Sequence, residues 1–330
     1  MNPRLLSSAL CLLVCLAACS DDSSAEGSGG EGSSADGSGG AAQGVDITDA
    51  HFSERDGDCA AYEGSYFATV SDLSTQESFT ASVEIAASGD GCVLTSNGIP
   101  NHDFNDAGAF ATPVGEVVES FSVSADPSPA ATPTDLSLQY DNAVFLNGVK
   151  LDLLAAACYG VGNEPLGEEK IGCMADGTPW RYDPMHPGNA FGTDGHNAHT
   201  QPDGAYHYHG DPGAMYDDSG TAASGVIGFA ADGFPIYGPW IDDEGTVRRA
   251  VSGYTLRSGD RVSQSGEGAF PGGQYDGTYV DDYEFTDAGD LDACNGMTRD
   301  GQYGYYVTDA YPWVMKCFAG VPDESFRKGP

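Results

Sequence analysis

An all-β chain, folded as an antiparallel sandwich or jelly-roll-like body with long ordered loops, few short helices and disulfide staples, is predicted by three features of the sequence. Short runs of alternating or β-branched residues recur along it, clusters of Gly, Pro, Asn and Asp separate them, and helical periodicity is nearly absent. In chain order, strands are expected at 66–70, 79–85, 117–123, 136–140, 144–146, 225–230, 234–237, 303–307 and 314–318. In the second of these, Phe79, Ala81, Val83 and Ile85 alternate with Thr80, Ser82 and Glu84, giving one apolar and one polar face. The apolar run 149–159 suits one or two helical turns or a strand equally well. Asp-Gly followed by an aromatic strand occurs twice, at 203–209 and at 300–306, and is a hairpin signal in both places.

Residues 1–18 read as a lipoprotein signal peptide, with one cation at Arg4, an apolar run from Leu5 to Leu16, and Leu16-Ala17-Ala18 leading to Cys19. That run is shorter than the roughly 20 apolar residues a membrane-spanning helix needs. Cleavage before Cys19 and lipidation of its thiol, palmitate included, anchor the mature chain to the cell envelope, and Ser20 in place of Asp at the next position points to the outer membrane. Residues 19–45 comprise the lipidated cysteine and a flexible tether of Gly, Ser and acidic residues, too poor in large apolar side chains to fold and with an r.m.s. span of roughly 25–30 Å. The globular part is expected to span 46–330, with a β-rich extension at its N-terminal end.

Fifty acidic residues against 13 basic ones give a net charge of −37. Such a surface repels phosphate backbones and anionic headgroups, which argues against nucleic-acid partners and leaves the N-terminal lipid as the expected membrane contact. An extracellular small molecule, a glycan or a protein is the expected partner otherwise, and the sequence leaves the choice among them open. Cys11 and Cys15 leave with the signal peptide, so six cysteines besides Cys19 remain: Cys59, Cys92, Cys158, Cys173, Cys294 and Cys317. An even number in an exported chain, without a CxxC spacing, reads as three disulfides rather than as a zinc or redox motif. The sequence leaves the pairing open; joining neighbours closes the most modest loops.

Four of the seven histidines fall between Gly195 and His209. In an extended strand, residues two apart share a face, so His207 and His209 project together while Tyr206 and Tyr208 point the other way. The turn at Asp203-Gly204 brings back the preceding segment, from which His199 or His196 supplies a third nitrogen. Imidazoles suit one transition-metal ion, zinc or copper first and iron or manganese after them, whereas calcium and magnesium prefer oxygen. Asp194 and Asp232 are the expected catalytic carboxylates, with Asp203 nearby. His102 and His186, taken alone, read as turn or surface histidines.

These residues resemble the YHYH family, named for the tetrapeptide found here as Tyr206-His207-Tyr208-His209. Further blocks are similar and follow in family order: 96–102, Asn147-Gly148-Val149, Trp180-Arg181-Tyr182, 197–204, 232–238, Cys294-Asn295-Gly296, Tyr311-Pro312-Trp313 and 317–320. The similarity spans about residues 91–320. Some relatives carry a second histidine-bearing motif where this chain has Tyr303-Gly304-Tyr305-Tyr306, so a site needing histidines from both copies is not expected here. The resemblance implies a secreted or surface-associated protein and no particular reaction.

Two functions fit. The first is a surface-anchored metalloprotein, enzymatic by metal-assisted hydrolysis or redox chemistry. The second is a non-catalytic surface module that binds glycan or protein through aromatic-rich loops (Tyr237, Trp240, Tyr275, Tyr279, Tyr283, Tyr311 and Trp313), with structural histidines. No GxSxG elbow, HExxH helix or free cysteine supports another hydrolytic route.

Overall fold

Alternation of apolar and polar residues sets the first sheet of the protein, whose computed structural model describes residues 44–329. Strands β1 (Val45–Asp46), β2 (Gly64–Ser71), β3 (Ser78–Ser88), β4 (Gly91–Ser96) and β5 (Glu119–Ser124) lie side by side in chain order. All neighbours are antiparallel except β1 and β2. Ala81, Val83 and Ile85 of β3, Cys92 and Leu94 of β4, and Phe121 and Val123 of β5 are buried, while the residues between them face outward. A one-residue slip would expose that whole set, so burial itself fixes the register.

The second sheet is built mostly from strands that are buried on both faces, its β17 edge excepted. Along the chain come β6 (Thr134–Asp135), β7 (Ala143–Phe145), β8 (Lys150–Leu151), β9 (Ala198–Thr200), β10 (Tyr206–Tyr208), β11 (Val226–Ala230) and β12 (Pro235–Tyr237). After them follow β13 (Trp240–Asp243), β14 (Thr246–Arg249), β15 (Tyr254–Leu256), β16 (Tyr283–Phe285), β17 (Gly296–Arg299), β18 (Gln302–Tyr306) and β19 (Cys317–Phe318). Eight of these form one sheet in the order β17-β18-β12-β11-β7-β8-β10-β9, and the others make three two-stranded ribbons. Two pairings across long excursions are parallel, β8 with β10 across residues 152–205 and β12 with β18 across 238–301. One contiguous apolar core joins the two sheets, with Ala81, Val83 and Leu94 on one side and Phe145, Tyr208 and Phe229 on the other.

Gly148, in the turn between β7 and β8, shows how closely the sheets approach. Its φ is +84°, and a Cβ placed there would lie 2.5 Å from the Ser96 Cβ and 2.7 Å from Val83 Cγ2. Only glycine fits such a contact. The Ser96 hydroxyl donates to the Gly148 carbonyl at 2.6 Å, a hydrogen bond from one sheet to the other.

The all-β expectation is met: among the described residues the only helices are three short 3-10 turns, and the apolar run 149–159 contributes β8 and then loop. The large sheet is mixed rather than wholly antiparallel, because the two long excursions return their strands in parallel. Residues 136–140 form a turn tied to Asp176 through the Ser137 hydroxyl and the Leu138 amide instead of a strand. Of 314–318 only Cys317–Phe318 is extended. Strand β4 and the β13–β14 and β15–β16 ribbons were not expected; β4 follows β3 after only Gly89 and Asp90.

The three disulfides join sequence neighbours: Cys59 with Cys92, Cys158 with Cys173, and Cys294 with Cys317. The second closes a loop within the 152–205 excursion, and Arg181 reinforces it. The buried Arg181 guanidinium donates to the carbonyls of Ala155 (2.6 Å), Cys173 (3.1 Å) and Ala175 (2.8 Å). Trp180 and Tyr182 on either side pack with Ala155, Ala157 and Tyr279 in a second, smaller core. The signal peptide at 1–18, Cys19 and nearly all of the tether at 19–45 lie outside the described residues. Among the described residues no helix is long and apolar enough to cross a membrane.

Candidate metal centre

Strand β10 divides its side chains by the two-residue period, and both faces are buried. Tyr206 and Tyr208 enter the core between the sheets. His207 faces the opposite way, paired across to His199 on β9 and to Lys150 on β8. The loop 201–205 fixes the β9 register by pairing Thr200 with Tyr206, which puts His199 directly beside His207. His209 lies just past the strand, held by its amide donating to the Asn197 carbonyl at 2.8 Å.

The three imidazoles meet through Nε2. The distance is 3.2 Å from His207 to His209 and 3.0 Å from His209 to His199, and the three ring centroids are 4.8 Å apart pairwise. His199 is oriented by its Nδ1, 2.7 Å from the Phe191 carbonyl; a proton on that nitrogen leaves the Nε2 lone pair facing the other two rings. His209 Nε2 has either one proton or one lone pair in the ring plane, so only one of its two short contacts can be a hydrogen bond. One cation shared by the three nitrogens satisfies both. Tetrahedral coordination at about 2.0–2.1 Å places ligand nitrogens roughly 3.3 Å apart, close to the spacing here. Burial holds all three imidazoles toward their neutral form, strongly for His207 and His209, where neighbouring rings and Lys328, and Lys150 for His207, push in the same direction, whereas at His199 the Phe191 carbonyl, Asp152 and Asp194 oppose it. Neutral imidazole is the form that binds metal.

The triad lies at one side of a cavity of about 900 Å³. Its apolar wall includes Ala109 from the first half of the chain and Leu154, Ala155, Ile171, Met174 and Phe191 from the 152–205 excursion. Asp152 and Lys328 also line it. Asp152 follows β8, its amide donates to the Tyr208 carbonyl at 2.9 Å, and its Oδ2 accepts from Lys328 Nζ at 2.5 Å. It is not one of the group of potential ligands whose atoms lie within 4.8 Å of one another, which comprises His199, His207 and His209 alone.

Sequence reasoning named four histidines and two carboxylates, and the structure brings together three of the histidines. His196 is separated from the triad because Asn197 has φ +58° and turns the chain before β9 begins. Its ring stacks on His102 with centroids 3.7 Å apart, and its Nδ1 is 2.7 Å from the Pro212 carbonyl. Asp194 belongs to the tyrosine face: it accepts from the Tyr206 hydroxyl (2.8 Å) and from the amides of Asn105, His196 and Ala198. Asp232 lies in the β11–β12 turn, where it accepts from the Tyr305 hydroxyl (2.6 Å) and the Gly320 amide (2.9 Å). Neither carboxylate lines the cavity, and both are committed to holding loops in place. Asp203 does line it. Asp152 and Lys328 were missed. An acid inside the apolar run 149–159 was the signal for Asp152, and no sequence signal places Lys328 near it.

The tyrosine face explains several of the recurring blocks. Tyr208 Oη accepts from Asn147 Nδ2 at 2.9 Å and donates to His102 Nε2 at 2.7 Å, given that His102 Nδ1 donates to the Asp103 carbonyl at 2.8 Å. Asn147 also donates to Asn101, whose own amide reaches the Ile47 carbonyl. His102, buried beside His196, is pushed down to about 3 by desolvation first and by that neighbour second. Removing the hydroxyl in Tyr208→Phe leaves two buried partners unpaired and is expected to lower stability by about 1–3 kcal/mol in denaturant melts. A folded-state value below the unfolded 6.5 means that the contribution of neutral His102 is complete above pH 6.5 and is lost as pH falls toward 3. His102→Gln is therefore expected to lose less stability than wild type between pH 6.5 and 4; an equal loss would show that other groups govern the acid limb.

The family model described as YHYH protein matches residues 120–320. Comparison with curated proteins and with solved structures returns no match. The matched region covers more than half of the chain and contains Tyr206 and Tyr208, the three converging histidines and most of the wall of the cavity beside them: the chain belongs to the YHYH protein family.

Proposed function

We propose that this is an exported metalloprotein in which His199, His207 and His209 hold one transition-metal ion, with a coordination position left for a small molecule in the adjoining cavity. The observation that carries the reading is the approach of His209 Nε2 to the Nε2 atoms of both His207 and His199, at 3.2 and 3.0 Å, two short contacts that hydrogen bonds among neutral imidazoles cannot both satisfy. Neutral nitrogen donors suit zinc or copper, and also iron or manganese. Such an ion supplies Lewis acidity, or one-electron chemistry where it is copper or iron. The protein's part is to hold the rings through Phe191 and β9–β10, to limit water with the apolar wall, and to accept a proton at Asp152. Three disulfides support export to an oxidising compartment.

The alternative module reading draws less support, because its aromatic residues are spent on packing. Tyr283 stacks on Tyr311 with centroids 4.2 Å apart, Tyr237 on Tyr306 at 5.0 Å, and Tyr279 is in the second core.

Metal analysis of the mature protein, prepared without a His tag or chelator, tests the proposal. Near-stoichiometric zinc or copper is expected after reconstitution, with loss in the His207→Ala/His209→Ala double variant. A wild-type protein that stays metal-free after equilibration with zinc, copper, iron and manganese rules the proposal out. The lipid anchor is part of the same reading: Cys19→Ala, expressed in a bacterial host, is expected to move from the membrane fraction to the soluble one, and an unchanged distribution argues against it.

A further inference from the structure

We infer that the cavity beside the three histidines takes an apolar small molecule with one anionic head group, a carboxylate in the simplest case, whose head occupies the open position of the bound ion while its body lies along the cavity wall. The inference deepens the metal-site reading and rests on it. The ligand group consists of His199, His207 and His209, and no carboxylate has an atom within the same 4.8 Å spacing. Three neutral imidazoles bring the ion no compensating charge. The charged side chains that line the cavity cancel among themselves, since the acids Asp152 and Asp203 are matched by the bases Lys170 and Lys328. Asp152 is moreover bound to Lys328, Oδ2 to Nζ, at 2.5 Å. A divalent ion therefore keeps its positive charge uncompensated beside His207 and His209, which are 3% and 4% exposed, and an anion in the open position offsets that charge.

The net charge of −37 does not reverse this preference. Charges spread over the surface act through salt solution with a screening length of about 8 Å, whereas the ion acts at bonding distance in an enclosed site. Repulsion at long range slows the arrival of an anion, and attraction at contact sets its affinity. The body of the molecule is selected by the wall, where Leu154, Ala155 and Phe191 line the cavity and Ile171 and Met174 line it while remaining 57% and 65% exposed. Large apolar side chains left in water beside a cavity gain from a ligand that covers them. A volume of about 900 Å³ also holds far more than a head group alone, which would leave that wall uncovered.

Calorimetric titration of the protein loaded with the metal it retains tests this with four probes. Biphenyl-4-carboxylate, 4-phenylbenzyl alcohol and 4-phenylbenzylamine share one shape, and acetate keeps the head without the body. The biphenyl carboxylate is expected to bind at least about tenfold more tightly than the alcohol or the amine, because opposite charges attract far more strongly in an enclosed site than in water. It is also expected to bind at least about tenfold more tightly than acetate, through the apolar area it covers. Stripping the metal from wild-type protein with a chelator is expected to abolish the preference for carboxylate over alcohol, and this arm decides the matter even where His207→Ala/His209→Ala does not fold. Ile171→Ser/Met174→Ser, at two exposed positions, is expected to weaken carboxylate and alcohol alike by at least about threefold while metal content and acetate binding stay unchanged. Equal binding of carboxylate and alcohol to the loaded protein, tightest binding of the amine, a carboxylate preference that survives stripping, acetate binding as tight as the biphenyl carboxylate, or no binding of any probe overturns the inference. Metal content measured on the same samples separates the two readings: bound metal without carboxylate preference sinks this inference alone, and a protein that retains no metal sinks the metal site and this inference with it.

Discussion

The pairing of β9 with β10 is the constraint from which the rest of the site follows. Three residues of each strand are aligned, and that alignment places His199 against His207 while sending Tyr206 and Tyr208 to the other side. Both faces are buried, so neither can slip without exposing tyrosines on one side or misaligning imidazoles on the other. The tyrosines are tied by hydroxyl hydrogen bonds to Asp194, Asn147 and His102, which belong to separate segments of the chain. The tetrapeptide is thus a two-sided device: a polar rivet through the core on one face and a set of nitrogen donors on the other.

Desolvation governs the electrostatics of both faces. It keeps the triad imidazoles neutral despite the acidity of the chain as a whole, and it drives the hydroxyls of Tyr206 and Tyr208 far toward their protonated form, so that they remain donors to their partners. Asp141, buried near Lys150 and Lys328, is raised to about 7 by burial even though both lysines pull it down. Local environment therefore outweighs global charge wherever side chains are enclosed. The net charge of −37 acts at longer range, on what approaches the cavity.

Half-buried strands were the legible part of the sequence. In the first sheet each strand has one face toward the core and one toward water, so alternation reports it directly, as with Thr80 to Ile85. Most strands of the large sheet are buried on both faces and all are only two to five residues long, which removes the alternation; their positions show through Gly, Pro and aromatic punctuation instead. His207 and His209 were readable from the period of a strand, and His199 from the turn that follows it. His196 was not, because one residue with positive φ, Asn197, breaks the extension that the reading assumed. The two expected carboxylates lie near histidines in sequence or in a block shared with the family, but hydrogen bonds to tyrosines and amides consume them. Asp152 and Lys328 are 176 positions apart and meet only through the tertiary fold, which no local pattern announces.

The parallel pairing of β8 and β10 has a consequence for how such a protein can diversify. Residues 152–205 must leave one strand and return to lie alongside it in the same direction, and on that journey they supply most of the cavity's apolar wall as well as the Cys158–Cys173 clamp. The donor nitrogens depend on the last few residues of the detour, whereas the surfaces that would meet a bound molecule come from its earlier stretch. Insertions or exchanges between the clamp and Phe191 can reshape what is admitted while the imidazole geometry stays anchored in the sheet. Selectivity and ion-holding are written in separable parts of one segment, so mutation can tune the first without dismantling the second.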